Sequence, residues 1–388
     1  MPDPVPFHAI FRDDAEQKAI LKALEQNSWH GNGPSSKRVE AFLKKWLDAA
    51  HVFLTTSCTH ALEMAMLVLD IRPGDQVIMP SFTFVSTANA VAMRGATPVF
   101  SEIRSSDLTI DPEDVAKKIT PSTRAIIPVH YAGVSVDFDA LIPLAEENNI
   151  AIVEDAAQGV GAYWRGRALG TIGQLGCFSF HDTKNLTCGE GGALLARAGD
   201  IAEKAEWIRE KGTNRSAFLR GEVDKYTWIS PGSSYIPSDL LAALLEAQLE
   251  KKDLIHRYRK AVWQTYFDYL SNECDSRWIT LPRIPEYAES NYHIFHLLVR
   301  KPEVRNPLLK ALKQAGIEAT FHYVPLHNAP YARNLPGRQP ALKRTELLAD
   351  CIVRLPLYPD LYPRRREIAG RICSVLNHFF EGMTDPES

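Results

Sequence analysis

Between about residues 52 and 200 the chain alternates short apolar runs with longer stretches of helical period, and few folds accommodate that rhythm. The runs are Val77-Ile78-Met79, Thr97-Pro98-Val99-Phe100, Ala125-Ile126-Ile127-Pro128-Val129, Ile150-Ala151-Ile152-Val153, Cys177-Phe178-Ser179-Phe180 and Gly192-Ala193-Leu194-Leu195. Short runs that stay apolar throughout belong to strands covered on both faces. With helical patterns between them, such as Thr59 to Leu69 and Val136 to Asn149, they predict an α/β domain on a mostly parallel sheet. Such sheets take ligands beyond the carboxyl ends of their strands, where His130, Asp155 and Lys184 fall. No G-x-G-x-x-G turn follows the first strand, which disfavours an NAD-dependent α/β enzyme.

Past residue 200 the order changes. Ile201 to Lys211 reads as helix, Gly212 to Pro237 as a long polar and aromatic loop, and Leu240 to Leu249 as an apolar helix capped by Ser238-Asp239. Ile294 to Val299 reads as a strand, Asn306-Pro307 as the opening of a helix from Leu308 to Gln314, and a last helix ends near Phe380. A chain of 388 residues is too long for one core. The expected division is a large domain over 1–255, which includes the N-terminal segment, and a smaller α+β domain over 256–388. There is no internal repeat, and the one biased stretch is a short polar C-terminus, Thr384 to Ser388.

A net charge of -3, with 44 basic against 47 acidic residues, gives no electrostatic case for nucleic acid or an acidic membrane as partner. The N-terminus has no signal-peptide pattern, and no stretch approaches the roughly 20 apolar residues of a membrane helix. Cys58, Cys177, Cys188, Cys274, Cys351 and Cys373 show no C-x-x-C spacing, against both a zinc site and a disulfide framework. The expected compartment is the reducing cytoplasm.

One pair of residues suggests the chemistry. Lys184 lies on the polar turn after the Cys177 run, ahead of Gly189-Glu190-Gly191-Gly192, and Asp155 ends another strand in Glu154-Asp155-Ala156-Ala157-Gln158. Pyridoxal 5'-phosphate (PLP) needs an amine to hold its aldehyde and an acid at its ring nitrogen. A free lysine, with a pKa of about 10.4, is a poor nucleophile, but as an imine it is displaced by an incoming amine and then shuttles a proton. A carboxylate beside the pyridine nitrogen favours its protonated form. Each residue alone reads more readily as a surface lysine or a helix-capping aspartate. The same holds for Gln158 near the cofactor's phenolic oxygen, Ser57-Cys58-Thr59 and Ser179 as a phosphate turn, and Phe84 as a stacking ring. Their order along strand ends is the stronger signal.

In that order the chain resembles the sugar aminotransferases of the DegT/DnrJ/EryC1/StrS family, which are fold-type I PLP enzymes. The resemblance runs from Gly31-Asn32-Gly33-Pro34 to Val353-Arg354-Leu355-Pro356-Leu357. Val153 to Gln158, and Phe178-Ser179-Phe180-His181 followed by Lys184-Asn185, carry it. It implies that Lys184 is the Schiff-base lysine and Asp155 the pyridinium partner. It implies too that Gln158 contacts the cofactor oxygen, that Phe84 stacks, and that Cys58, Thr59 and Ser179 hold phosphate. Many members carry glycine at Cys58. Many also have Asn-Tyr-Arg at Ser234-Tyr235-Ile236, the asparagine reaching the neighbouring subunit's phosphate; Ser234 stands in that place. Relatives with histidine in place of the lysine dehydrate; Lys184 favours transamination.

Lys211 to Ser216, Val223 to Trp228, Gly232 to Tyr235 and Pro80 to Ala90 look most like the branch that aminates C4 of dTDP-4-keto-6-deoxyglucose with L-glutamate, giving dTDP-4-amino-4,6-dideoxygalactose for surface polysaccharide, with pyridoxamine phosphate (PMP) between the half-reactions. The sugar nucleotide would meet Lys211, Arg215 and Lys225, and also His30, Asn32, His322, Tyr323 and His327. The family builds each site from two subunits, which implies a homodimer or a dimer of dimers. The alternatives are a UDP-linked or C3-aminating transaminase of the same family, or a non-catalytic sugar-nucleotide-binding regulator.

Overall fold

The computed structural model describes residues 3–26, 29–335, 341–381 and 383. The polar stretch Thr384 to Ser388 lies outside the described residues. A seven-stranded sheet organises the first half. Its strands are β1 (His51–Thr55), β2 (Gln76–Pro80), β3 (Thr97–Ser101), β4 (Thr123–Ile126), β5 (Ala151–Asp155), β8 (Leu175–Ser179) and β9 (Gly192–Ala196), in the order β1-β9-β8-β5-β4-β2-β3. A small second sheet joins β6 (Tyr163–Trp164), β7 (Arg167–Ala168) and β11 (Ala288–Glu289). In the large sheet β9 runs antiparallel to both neighbours and every other pairing is parallel, so the sheet is mostly parallel as expected.

Side chains alternate across each strand, and both faces are covered. Val77, Met79, Val153, Cys177 and Leu194 pack under α3 (Cys58–Val68), α4 (Val85–Ala92) and α7 (Gly199–Arg209). Ile78, Ile126 and Ile152 face the other way, against α5 (Pro112–Lys118) and α6 (Phe138–Glu147). Phe178, Ala193 and Leu195 meet α2 (Pro34–Leu47) and α9 (Asp239–Glu250) on that side, and α1 (Asp14–Glu25) packs on α9. This double coverage is why the strands read as unbroken apolar runs.

Asp239 does not cap its own helix. Its carboxylate accepts the Ser35 and Ser36 backbone N–H groups at 3.0 and 2.7 Å and the Ser36 hydroxyl at 2.7 Å, closing the N-terminus of α2 instead. Gly33 makes that approach possible: a Cβ there would lie 2.5 Å from the Asp239 carboxyl carbon.

A second apolar core gathers α10 (Lys252–Glu273), α11 (Pro302–Gln314) and α13 (Arg365–Phe380) around a three-stranded antiparallel sheet. That sheet has the order β10 (Ile279–Thr280), β12 (Phe295–Val299), β13 (Ile352–Leu355), and α12 (Lys343–Cys351) leads into β13. Helix α11 starts at Pro302, one turn before the expected Pro307, because Pro302 already fills the first-turn position. The N-terminal segment departs from the expected division. Val5 is buried in this second core and exchanges hydrogen bonds with Gly316 and Glu318, so the first residues pack with the C-terminal part of the chain rather than with the large sheet. The long loop after α7 contains a short helix, α8 (Arg215–Leu219).

Candidate active site

Because β1, β2, β4, β5 and β8 all point the same way, their carboxyl ends deliver their following turns to one edge of the sheet. The turn after β8 carries Lys184. It closes as a hairpin onto β9, with Phe180 N–H donating to Gly191 and Cys188 N–H to Phe180. Asn185 ties it to the second core: its amide donates to the Asn291 carbonyl at 2.9 Å, and its oxygen meets His293 Nδ1 at 2.8 Å. Burial pushes the Lys184 amine below the ordinary lysine value, with Arg354 acting in the same direction and Cys58 and Asp155 opposing.

Asp155 ends β5 and is buried. One carboxylate oxygen accepts the Thr87 hydroxyl at 2.8 Å, Thr87 being paired with Thr83 at 2.9 Å; the other accepts Ala157 N–H at 3.2 Å. Burial raises its pKa, and these donors work against the rise. The preceding residue, Glu154, faces the opposite side of the strand. It accepts the N–H groups of Gly170, Ile172 and Gly173 at 2.6 to 2.7 Å and His130 Nε2 at 3.0 Å. With Nε2 donating there, His130 Nδ1 accepts from Val136 N–H at 3.3 Å. His130 is thus fully buried behind the strand end, bonded to the Glu154 carboxylate that holds the 170–173 turn.

Asp155 and Lys184 both line one cavity of about 520 Å³. At one end lies the N-terminus of α3, where Ser57 Oγ accepts His60 N–H at 3.1 Å and Thr59 Oγ1 meets Ser86 Oγ at 2.7 Å. Strand β9 comes so close that a Cβ on Gly192 would sit 2.4 Å from the Ser57 carbonyl carbon and 2.5 Å from Cys58 N. Burial pushes the Cys58 thiol up, which keeps it protonated. Ser179 lines the same region. Phe84, at the start of α4, is 58% exposed at the cavity wall. Gln158 is held at both ends, accepting from Ala132 N–H at 2.7 Å and donating to the Tyr323 hydroxyl at 3.2 Å. His322 stacks on Tyr323, with ring centroids 4.1 Å apart.

This donor set suits PLP. It offers an amine, a buried acid, an aromatic face and, at a helix N-terminus, backbone N–H groups for a phosphate. The model of the DegT/DnrJ/EryC1/StrS aminotransferase family matches residues 12–374. The chain belongs to that family. Among solved structures, DesV of S. venezuelae is 32% identical, with 98% of this chain and 100% of that one covered at a TM-score of 0.88. The aminotransferase TlmJ from Streptoalloteichus hindustanus is 29% identical, covering 97% and 99%, also at 0.88. Spr1654 from Streptococcus pneumoniae, solved in PLP and PMP forms, is 25% identical at 0.88, with 97% of this chain covered and 99% and 98% of the two. The protein is a PLP-dependent sugar aminotransferase with the fold-type I architecture.

In this aminotransferase the cavity brings together Cys58, Thr59, Phe84, Asp155, Gln158, Ser179, Lys184, His322 and Tyr323. The remaining sequence candidates stand off it. His327 is buried between Ser81 Oγ, at 2.7 Å from Nδ1, and Glu346, at 2.8 Å from Nε2. Asn32 accepts from Arg209 at 2.8 Å, and Arg215 pairs with Glu210 at 3.2 Å. His30, Lys211, Lys225 and Ser234 are exposed outside the cavity wall. The loop that bears Lys211, Arg215 and Lys225 is stitched together by Asn214, which takes Thr227 N–H at 2.7 Å and donates to the Lys225 carbonyl at 3.2 Å.

Sequence reasoning missed Thr87, Asn185, Arg259, His293 and Arg354. Thr87, a polar residue within a small-residue helix, gives little signal. Arg354 gives more: it is the one charge in the run from Ile352 to Leu357.

Proposed function

We propose that this aminotransferase moves the amino group of L-glutamate to C4 of dTDP-4-keto-6-deoxyglucose, giving dTDP-4-amino-4,6-dideoxygalactose for surface polysaccharide synthesis in the cytoplasm. The observation that carries the aminotransferase chemistry is that Lys184 and Asp155 face one cavity beside the N-terminus of α3. The choice of sugar rests on the motifs at Lys211 to Ser216, Val223 to Trp228 and Gly232 to Tyr235.

When bound, PLP supplies an aldehyde that takes up an amine and a ring that accepts the electrons left when a carbon loses its proton. Asp155 keeps a proton on the ring nitrogen, oriented by Thr87 and Ala157. Lys184 would hold the cofactor until the donor amine replaces it. Freed, its Nζ takes the proton from the donor carbon, and later delivers one to C4 of the sugar. A lysine of depressed pKa is suited to the first of these, since the neutral amine is more populated at neutral pH. Phe84 would cover the ring face, Gln158 would meet the phenolic oxygen, and Cys58, Thr59 and Ser179 would hold the phosphate. His322 and Tyr323 close the sugar side.

The loop bearing Lys211, Arg215, Lys225 and Ser234, with His30 and Asn32, serves the neighbouring subunit's site in a homodimer or a dimer of dimers. In support, these residues are displaced from their own chain's cavity, while Tyr226, Trp228 and Ile229 are exposed beside them. Incubating the PLP-loaded protein with L-glutamate and either dTDP- or UDP-4-keto-6-deoxyglucose, with mass and NMR assignment of the product, tests the sugar. The expected product is the dTDP-linked 4-amino galacto sugar. A UDP-linked or C3-aminated product contradicts the assignment within the family, and no amination of any sugar points to the regulator instead.

A further inference from the structure

A second cavity, of about 330 Å³, opens at the opposite edge of the seven-stranded sheet. The catalytic cavity lies at the carboxyl ends of the parallel strands. This one is lined by Asp48 and Ala50, just before β1, by Gly173 and Gln174, just before β8, and by Ala196 and Arg197 where the antiparallel β9 ends. The two cavities share no lining residue. Its size falls within the range of small-molecule sites, about 300–1,000 Å³. One wall is the turn at Gly170 and Gly173, which is fixed by N–H bonds of 2.6 and 2.7 Å to the buried Glu154 carboxylate.

Two exposed arginines of this lining have no acid to pair with. Arg167, on the β6–β7 hairpin, lies 5.8 Å from the Trp164 ring, and Arg197 donates only its backbone N–H, to the Gln174 carbonyl at 3.1 Å. Neither guanidinium makes a hydrogen bond or an ion pair among the described residues. By contrast Arg165, two positions from Arg167 and outside the cavity wall, pairs with Asp139 at 2.7 Å. Gln174 Oε1 accepts Ile152 N–H at 2.7 Å, while its amide nitrogen makes no hydrogen bond among the described residues. Two aromatic rings, Trp46 and Tyr163, complete the lining. Trp46 is held in place, with Lys252 Nζ 5.3 Å from its ring centroid and no more than 3.2 Å between its ring and a Cβ built on Gly161. Asp48 is the one carboxylate of the wall, and it too makes no ion pair among the described residues.

Guanidinium forks beside an amide N–H match the oxygens of a phosphate. A carboxylate accepts from hydroxyl groups, and aromatic rings cover the face of a flat or apolar ring. A bare anion would meet only repulsion from Asp48, so the set fits a phosphate that is carried on a hydroxyl-bearing ring. We propose that this cavity is a second small-molecule site, separate from the reaction, for a phosphate ester of that class: a sugar phosphate or a nucleotide. Arg167 and Arg197 take the phosphate, Asp48 takes a ring hydroxyl, and Trp46 with Tyr163 covers the ring.

Calorimetric titration of the PLP-loaded protein with ribose 5-phosphate, adenosine 5'-monophosphate and inorganic phosphate tests the site. At least one ester is expected to bind more tightly than inorganic phosphate. A gain of about tenfold or more from the base assigns a nucleotide, and equal affinity for the two esters assigns a sugar phosphate. The double variant Arg167→Gln, Arg197→Gln should weaken the bound ester by about ten- to a hundredfold. Both arginines are exposed, and either single variant, losing a smaller part, serves if the double variant does not fold. Arg165→Gln, on the same hairpin, should leave the affinity unchanged. Wild-type affinity in the arginine variants would put the ester in the catalytic cavity and overturn the site. An equal loss in Arg165→Gln, inorganic phosphate bound as tightly as either ester, or no ester bound at millimolar concentration overturns it as well.

Discussion

Asp155 is a carboxylate whose burial sets a pH dependence on stability. Its folded pKa is raised by burial, so the folded protein without cofactor binds that proton more tightly than the unfolded chain does. The favourable contribution is complete below the ordinary carboxylate value and is lost as pH rises through the folded value. Asp155→Asn should therefore melt at a higher temperature than wild type near neutral pH in the cofactor-free form, and the difference should close as pH falls toward about 4. Melting curves across pH check this; a gap of constant size would mean that the carboxylate's ionisation is not its cause. With cofactor, the same variant should lose about a hundredfold or more in turnover, because a neutral amide does not hold the ring nitrogen's proton. The residue was legible because an acid stood at the end of an apolar run. Its partner Thr87 was not: the bond spans 68 positions and two elements.

Among the elements, β9 closes against the N-terminus of α3 at one end of the cavity. Gly192 has no room for a side chain against Ser57 and Cys58. Gly192→Ala should push the strand off the helix N-terminus, costing about 1–3 kcal/mol of stability. PLP affinity should fall by about tenfold or more. Denaturant unfolding and a cofactor titration read the two effects; an alanine variant with wild-type affinity would mean that this approach does not shape the phosphate site. The strands with continuous apolar runs were readable because both faces are covered. β1, as long as most of its neighbours, was not read as a strand. The cap of α9 was misread because the hydrogen bonds of Asp239 reach back more than 200 positions to α2, beyond any local capping pattern.

At the scale of the molecule, the return of Val5 to the C-terminal core was not legible, because a bridge of two or three hydrogen bonds leaves no periodicity in the sequence. The motifs around Lys211 to Trp228 were visible, yet they form an exposed loop away from their own chain's cavity. Trp228 is 77% exposed there, beside the exposed Tyr226 and Ile229. An apolar surface of this kind suits a subunit contact. Light scattering should give a mass of twice the 43.4 kDa chain, or four times. The double variant Tyr226→Ser, Trp228→Ser should shift it toward the single chain and lower turnover together. A fully active single chain would contradict the shared site.

All of this depends on one lysine carrying the cofactor. Borohydride reduction of the PLP-loaded protein, followed by peptide mass mapping, reads that bond directly. The account predicts the reduced cofactor's mass on the peptide that bears Lys184 and on no other. Label on a different lysine, or none at all, would contradict it.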